Sequence, residues 1–154
     1  MGGSSAAAEV YKRRRFYEEL ADELAKGAIE AIEARGATWQ RVAVPGVLEL
    51  PAAVKYALDA MAHGGFTKAI DGFVTLGCVI RGETTHYDIV SNESARALMN
   101  ITVDRSLALG NGIQTVENEA QAWARAKRDQ KNKGGGAANA CLDMIELKRK
   151  FGSS

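Results

Sequence analysis

Phe16, Leu20, Leu24, Ala28 and Ile32 recur at four-residue spacing, which lays one apolar stripe along a helix and predicts α structure over about residues 5–35, with Gly36 as its stop. The upstream part, residues 6–15, carries no competing strand pattern. Residues 39–44 alternate and predict a short strand, broken at Pro45 and Gly46. Residues 50–62 read as a helix with Pro51 in its first turn, where the missing N–H costs nothing, and Gly64 and Gly65 end it. Phe73, Val74, Leu76, Val79 and Ile80 form a near-continuous apolar run, the pattern of a parallel strand covered on both faces. Helical spacing returns over residues 87–107 in Ile89, Val90, Ala97, Leu98, Ile101 and Leu107. Residues 109–115 predict a second strand carrying two glycines, and residues 119–128 a helix capped by Asn118. A glycine-rich break at residues 132–136 precedes a last helix through about Phe151, with Ala140, Met144, Leu147 and Phe151 as its apolar stripe. Alternating strands and helices predict an α/β fold with a parallel sheet and right-handed crossovers.

At 154 residues, 46% hydrophobic and 25% charged, the chain has the composition of one globular domain, and no internal repeat or domain linker divides it. Residues 6–151 form that domain, and the Gly/Ser-rich stretches 1–5 and 152–154 read as linkers. A net charge of +1 gives no general reason to expect nucleic acid or an anionic membrane as partner. The basic run Lys12 to Arg15 fits a solvated helix face. Cys78 and Cys141 lack metal-ligand spacing and read as buried thiols in a reduced, cytoplasmic setting, with no apolar span of about 18 residues to suggest a membrane.

The most informative stretch is FVTLGCVIRGETTHYD, residues 73–88, where an apolar strand breaks into charged and hydroxyl side chains. Ligands of open α/β sheets collect outside the carboxyl ends of strands. Gly82 loosens the backbone there, Glu83, Thr84 and Thr85 offer polar groups, and His86 is suited to proton transfer near neutral pH. Thr84 and Thr85 fit equally well as caps of a helix starting near His86. Glu49, a lone carboxylate in VPGVLELP, has the means to accept hydrogen bonds from hydroxyls, or is an ordinary exposed glutamate. Arg125 near Trp123 reads as a phosphate grip or a solvated helix charge. Lys131 and Lys133 beside three glycines suit an anionic ligand, and equally a helix terminus. No metal site, Ser/His/Asp arrangement or dinucleotide fingerprint emerges.

The segments VPGVLELP, GCVIRGETTHYDIVSNESARALM, GIQTVENEAQAWARA and KNKGG, in that order, resemble the lumazine synthase family from about Phe16 to Phe151. The resemblance implies a three-layer α/β/α flavodoxin-like sandwich and assembly into homo-pentamers, in some cases decamers or icosahedral shells, with sites between neighbouring subunits. It implies condensation of two small molecules, 5-amino-6-(ribitylamino)uracil and 3,4-dihydroxy-2-butanone 4-phosphate, to 6,7-dimethyl-8-ribityllumazine, without metal or other cofactor. By the same resemblance His86 assists proton transfer, and Arg125 with the backbone at Gly82, Glu83 and Thr84 binds phosphate. Glu49 holds ribityl hydroxyls beside Val47 and Leu48, Phe16 stacks on the pyrimidine ring, Val79, Ile80 and Asn111 line the substrate, and Lys133 lies near the phosphate.

Departures from the family pattern carry a second reading. The family places an apolar core strand just before the Phe16 position, whereas this chain reads Val10-Tyr11-Lys12-Arg13-Arg14-Arg15. Four adjacent cations cost far more to bury in a sheet than the strand returns. The first core strand is therefore expected to be replaced by a helical extension over about residues 6–15, which puts the stacking role of Phe16 in question and leaves a sheet edge unpaired. Asn111 stands where many relatives place an aromatic, and Gln114 places an amide needing partners at a usually apolar position. These features also fit an engineered pentameric assembly component of this ancestry, with vestigial catalysis and a designed partner chain meeting the N-terminal helix. A plain flavodoxin-like small-molecule binder is a third reading, without a flavin-phosphate loop to support it.

Overall fold

A computed structural model of the chain describes residues 2–65 and 69–152; the linker reading of Met1, Ser153 and Ser154 lies outside the described residues. Its elements are α1 (Gly2–Ala34), a 3₁₀ turn (Val47–Glu49), α2 (Leu50–Ala62), β1 (Phe73–Ile80), α3 (His86–Asp104), β2 (Leu109–Val116), α4 (Glu119–Ala126) and α5 (Lys133–Lys150). β1 and β2 pair in parallel, residue for residue, from Phe73 opposite Leu109 to Ile80 opposite Val116.

Alternation along the two strands sorts the core into two clusters. Leu76, Cys78, Ile80 and Val116 pack with Leu20 and Leu24 of α1 and with Ala122 and Ala126 of α4. Phe73, Leu109 and Ile113 pack with Val54 and Leu58 of α2 and Leu98 of α3. Helices thus cover both faces of the sheet, giving the three-layer α/β/α arrangement expected. α5 joins the α1 layer by backbone contact: a Cβ added to Gly110 would lie 1.8 Å from the Ala137 carbonyl oxygen, and one added to Gly134 would lie 2.1 Å from that of Leu24. Arg35, at the end of α1, reaches Asp143 and Glu146 of α5, while Cys141 lies beside Gly72 and Ala108 at the strand starts. α1 and α5 therefore run antiparallel to the strands.

Three expectations are corrected. Residues 39–44 form no strand; they are exposed or half-buried, and among the described residues no backbone hydrogen bond joins them to a neighbour. Only side chains anchor them, Trp39 Nε1 donating to Glu33 (2.9 Å) and Arg41 to Asp22 (2.8 Å), because a strand pattern forms a strand only beside another strand. The glycines of residues 134–136 lie inside α5, since the Leu24 backbone of α1 leaves no room for a side chain at Gly134 and the capping Asn132 side chain leaves none at Gly135. The stripe predicted for α5 faces outward: Gly134, Gly135, Ala137, Ala138 and Cys141 are buried, whereas Met144, Leu147 and Phe151 are exposed. The unbroken α1 agrees with the expected replacement of a first strand by helix. Gln114 finds its partner in its own strand, its Nε2 donating to the Gly112 carbonyl at 2.9 Å.

Candidate active site

Equal register places the residues following β1 and β2 side by side. The Arg81 N–H donates to the Val116 carbonyl (2.8 Å), and its guanidinium binds Glu117 (3.0 Å), approaches Asp88 of α3 (3.8 Å) and lies 4.3 Å from the centre of the Tyr87 ring. The hydrogen bond to Glu117 is the main cause that raises the Arg81 pKa. Both anchors of the 82–85 loop are held by this one side chain. Between them Gly82, Glu83, Thr84 and Thr85 are exposed, and nothing lies within 4 Å of a Cβ added at Gly82. Thr85 occupies the N-cap position of α3 without a side-chain bond; instead Thr84 Oγ1 accepts from the His86 N–H (3.3 Å). His86 is the first residue of α3, and its side chain is open to solvent.

On the α1/α4/α5 side, Phe16 meets Trp123 edge to face at 5.9 Å and Tyr17 at 5.2 Å, and it packs against the cluster around Leu20. Arg125 is half-buried, with Nη1 donating to the Gln121 carbonyl (3.2 Å). Burial pushes the Cys78 thiol up to about 11, against the pull of the Arg125 charge. Burial also raises the Tyr17 pKa, with Cys78 adding to the shift. Lys133, exposed, opens α5 behind Asn132, whose side chain accepts from the Gly135 N–H and whose φ is +45°.

On the other side, Val47 lies where a side chain on Gly77 of β1 would clash, at 2.8 Å. Leu48 and Glu49 are exposed, and the Glu49 carboxylate curls back over Gly46. Val79 is buried and Ile80 half-buried at the end of β1. Asn111 sits in mid-strand opposite Thr75; its Oδ1 accepts from the Ile113 N–H (2.9 Å) and the Thr75 hydroxyl (3.4 Å).

One chain therefore brings together the strand-end loop and His86, and flanks it with two separate groups on opposite helix layers: Phe16, Arg125 and Lys133 on one, and Val47, Leu48 and Glu49 on the other. Exposed backbone N–H groups at a helix start with a nearby guanidinium suit an anion such as phosphate, and an open imidazole suits proton transfer. Arg81, Trp123 and Tyr17 were not singled out in the sequence. Arg81 and Glu117 had a signal, since each directly follows a strand. No group of three or more potential metal-binding side chains occurs among the described residues, and none of their helices is long and apolar enough to cross a membrane.

Comparison with known proteins adds a consistent result. Residues 13–149 match the family model described as 6,7-dimethyl-8-ribityllumazine synthase. The chain is 60% identical over 139 residues to 6,7-dimethyl-8-ribityllumazine synthase 1 of Rhizobium meliloti, a match covering 90% of each chain. It is 59% identical over 138 residues to the synthase of Agrobacterium fabrum, covering 90% of this chain and 92% of that one. It is 55% identical over 139 residues to synthase 1 of Mesorhizobium japonicum, covering 90% and 84%.

Proposed function

We propose that this chain, which belongs to the 6,7-dimethyl-8-ribityllumazine synthase family, condenses 5-amino-6-(ribitylamino)uracil with 3,4-dihydroxy-2-butanone 4-phosphate in riboflavin biosynthesis, acting as a transferase. The observation that carries this reading is 60% identity across nine-tenths of both chains, in a match that includes the whole strand-end loop.

In the proposed site, the backbone N–H groups at Gly82, Glu83 and Thr84 and the guanidinium of Arg125 hold the phosphate, with Lys133 adding positive charge. Glu49 accepts hydrogen bonds from the ribityl hydroxyls beside Val47 and Leu48, while Val79, Ile80 and Asn111 line the substrates. The amine of the uracil attacks the ketone carbon, water leaves as the imine forms, and phosphate departs. Ring closure releases the second water. His86, exposed at the loop's end, moves protons between these steps. Phe16 packs against Trp123, so its place in ring stacking rests on the face that this contact leaves free.

The separation of the two flanking groups onto opposite layers supports a site completed by a second copy. Met99, Val103, Met144, Leu147 and Phe151 are exposed, and the last four line a shallow depression of about 330 Å³ between α3 and α5. An exposed apolar patch of this kind supports a homo-oligomer, for which we favour the pentamer and a cytoplasmic setting. The assembly-component reading has no observation that favours it over the enzyme.

Mixing the protein with both substrates and following lumazine absorbance tests the proposal. Acceleration over a protein-free blank, lost mainly through a raised KM for the butanone phosphate in Arg125→Ala and reduced but not abolished in His86→Ala, is expected, because much of the catalysis is orientation of two substrates. No acceleration by a folded oligomer would overturn it.

A further inference from the structure

β1 carries no charge and no proline, has helices over both faces, and yet pairs with a strand on one edge only: among the described residues the sheet is β1 and β2 alone. Its second edge presents backbone groups of an apolar strand with neither charge nor proline to blunt it. Nearby, residues 38–44 leave the end of α1, where the Ala37 N–H bonds the Ile32 carbonyl, and lead to Val47 beside Gly77 of β1. Trp39 bonds Glu33 and Arg41 bonds Asp22, so residues 38–44 lead back along α1 and hence in the direction of β1, and among the described residues neither segment hydrogen-bonds the other through its backbone.

We propose that the free edge of β1, flanked by residues 38–44, takes up an extended apolar segment of another polypeptide as an added strand parallel to β1. The chemistry of the occupant follows from the layers. Successive side chains of an added strand would point alternately toward the cluster of Leu20 and Leu24 and toward that of Val54, Leu58 and Leu98. Both directions are apolar, so the segment must be apolar at consecutive positions, rich in β-branched residues and free of charge over about eight residues, the length of β1. A single extended segment suits the place better than the β1 edge of a second copy, which would arrive with its own helix layers and its own residues 38–44.

The test uses a fluorescent peptide with eight alternating valines and isoleucines between lysine pairs, and the same peptide with one central proline. Saturable binding of one peptide per protomer is expected, at least tenfold weaker for the proline peptide, with slowed amide exchange in β1 and in residues 38–44. Val42 is exposed, and Val42 and Ala43 donate no backbone hydrogen bond, so Val42→Pro and Ala43→Pro leave the free protein intact. Backbone donors alternate sides along a strand, so one of the two variants should lose at least tenfold in peptide affinity with unchanged oligomer size. Absence of binding, equal binding of the proline peptide, protection elsewhere than these two segments, or edge-to-edge growth of the protein without peptide would each overturn the proposal.

Discussion

Replacing Gly134 by alanine tests how closely α1 and α5 are packed. The new Cβ would lie 2.1 Å from the Leu24 carbonyl oxygen, a separation real Cβ atoms essentially never show below 3.0 Å, so the two helices must move apart by roughly 1 Å. Neither side can yield locally, because the obstacle is backbone and Leu24 is fully buried. Overpacking of this kind costs about 1–3 kcal/mol, offset by at most about 1 kcal/mol from the better helix propensity of alanine. A net loss of about 1–2 kcal/mol is expected. Gly136 supplies the control in the same helix: it is exposed, and nothing lies within 4 Å of an added Cβ, so Gly136→Ala should gain about 0.5–1 kcal/mol. The two variants should then melt roughly 4–12 °C apart, on opposite sides of the parent, in thermal scans at equal protomer concentration. A Gly134→Ala protein melting at or above the parent would refute the close contact.

Phe16→Ala removes the edge-to-face contact with Trp123 and part of the Leu20 cluster, and should cost about 1–3 kcal/mol in urea unfolding; a raised KM with unchanged stability would instead make the ring a substrate contact alone. Asn118→Ala, which removes the side-chain oxygen that accepts from the Gln121 N–H at 2.9 Å, should cost about 1 kcal/mol by the same measurement, and no loss would mean that the cap is not formed in solution. Cys78 should react slowly with iodoacetamide at pH 8 and about tenfold faster per pH unit toward pH 11, read by peptide mass spectrometry; a plateau near pH 9 would show an ordinary thiol. Because its folded pKa is raised, its contribution to stability is full below the ordinary thiol range and is lost as pH rises to about 11, so Cys78→Ala should flatten that alkaline decline.

Periodicity made the helices and the two paired strands legible because each buries a stripe that the residue spacing already displays. α1 is the clearest case: the four-residue repeat from Phe16 to Ile32 places Leu20, Leu24 and Ala28 in the core. Residues 39–44 carry a strand's alternation, but alternation describes only faces, and strand formation depends on a neighbour that this chain does not set beside them. The α5 stripe misled for a related reason. A stripe of apolar residues marks a face that a helix is able to bury, while small residues mark where it touches backbone, and in α5 these are different faces. The loop of residues 82–86 was readable as polar chemistry following an apolar strand. The Arg81–Glu117 tie depends on strand register, which no single segment encodes.

α1 first joins the core at Phe16, near the carboxyl ends of the strands, and its earlier turns continue past that end with Lys12, Arg13, Arg14 and Arg15 all open to solvent. About 14 residues at about 1.5 Å each make a stalk of roughly 20 Å, continuous with a buried helix and so fixed in direction by the domain behind it. Anything joined to this end inherits a helical phase: inserting one residue would advance it by about 1.5 Å and swing it through about 100°, so its orientation relative to the sheet is set by counting residues.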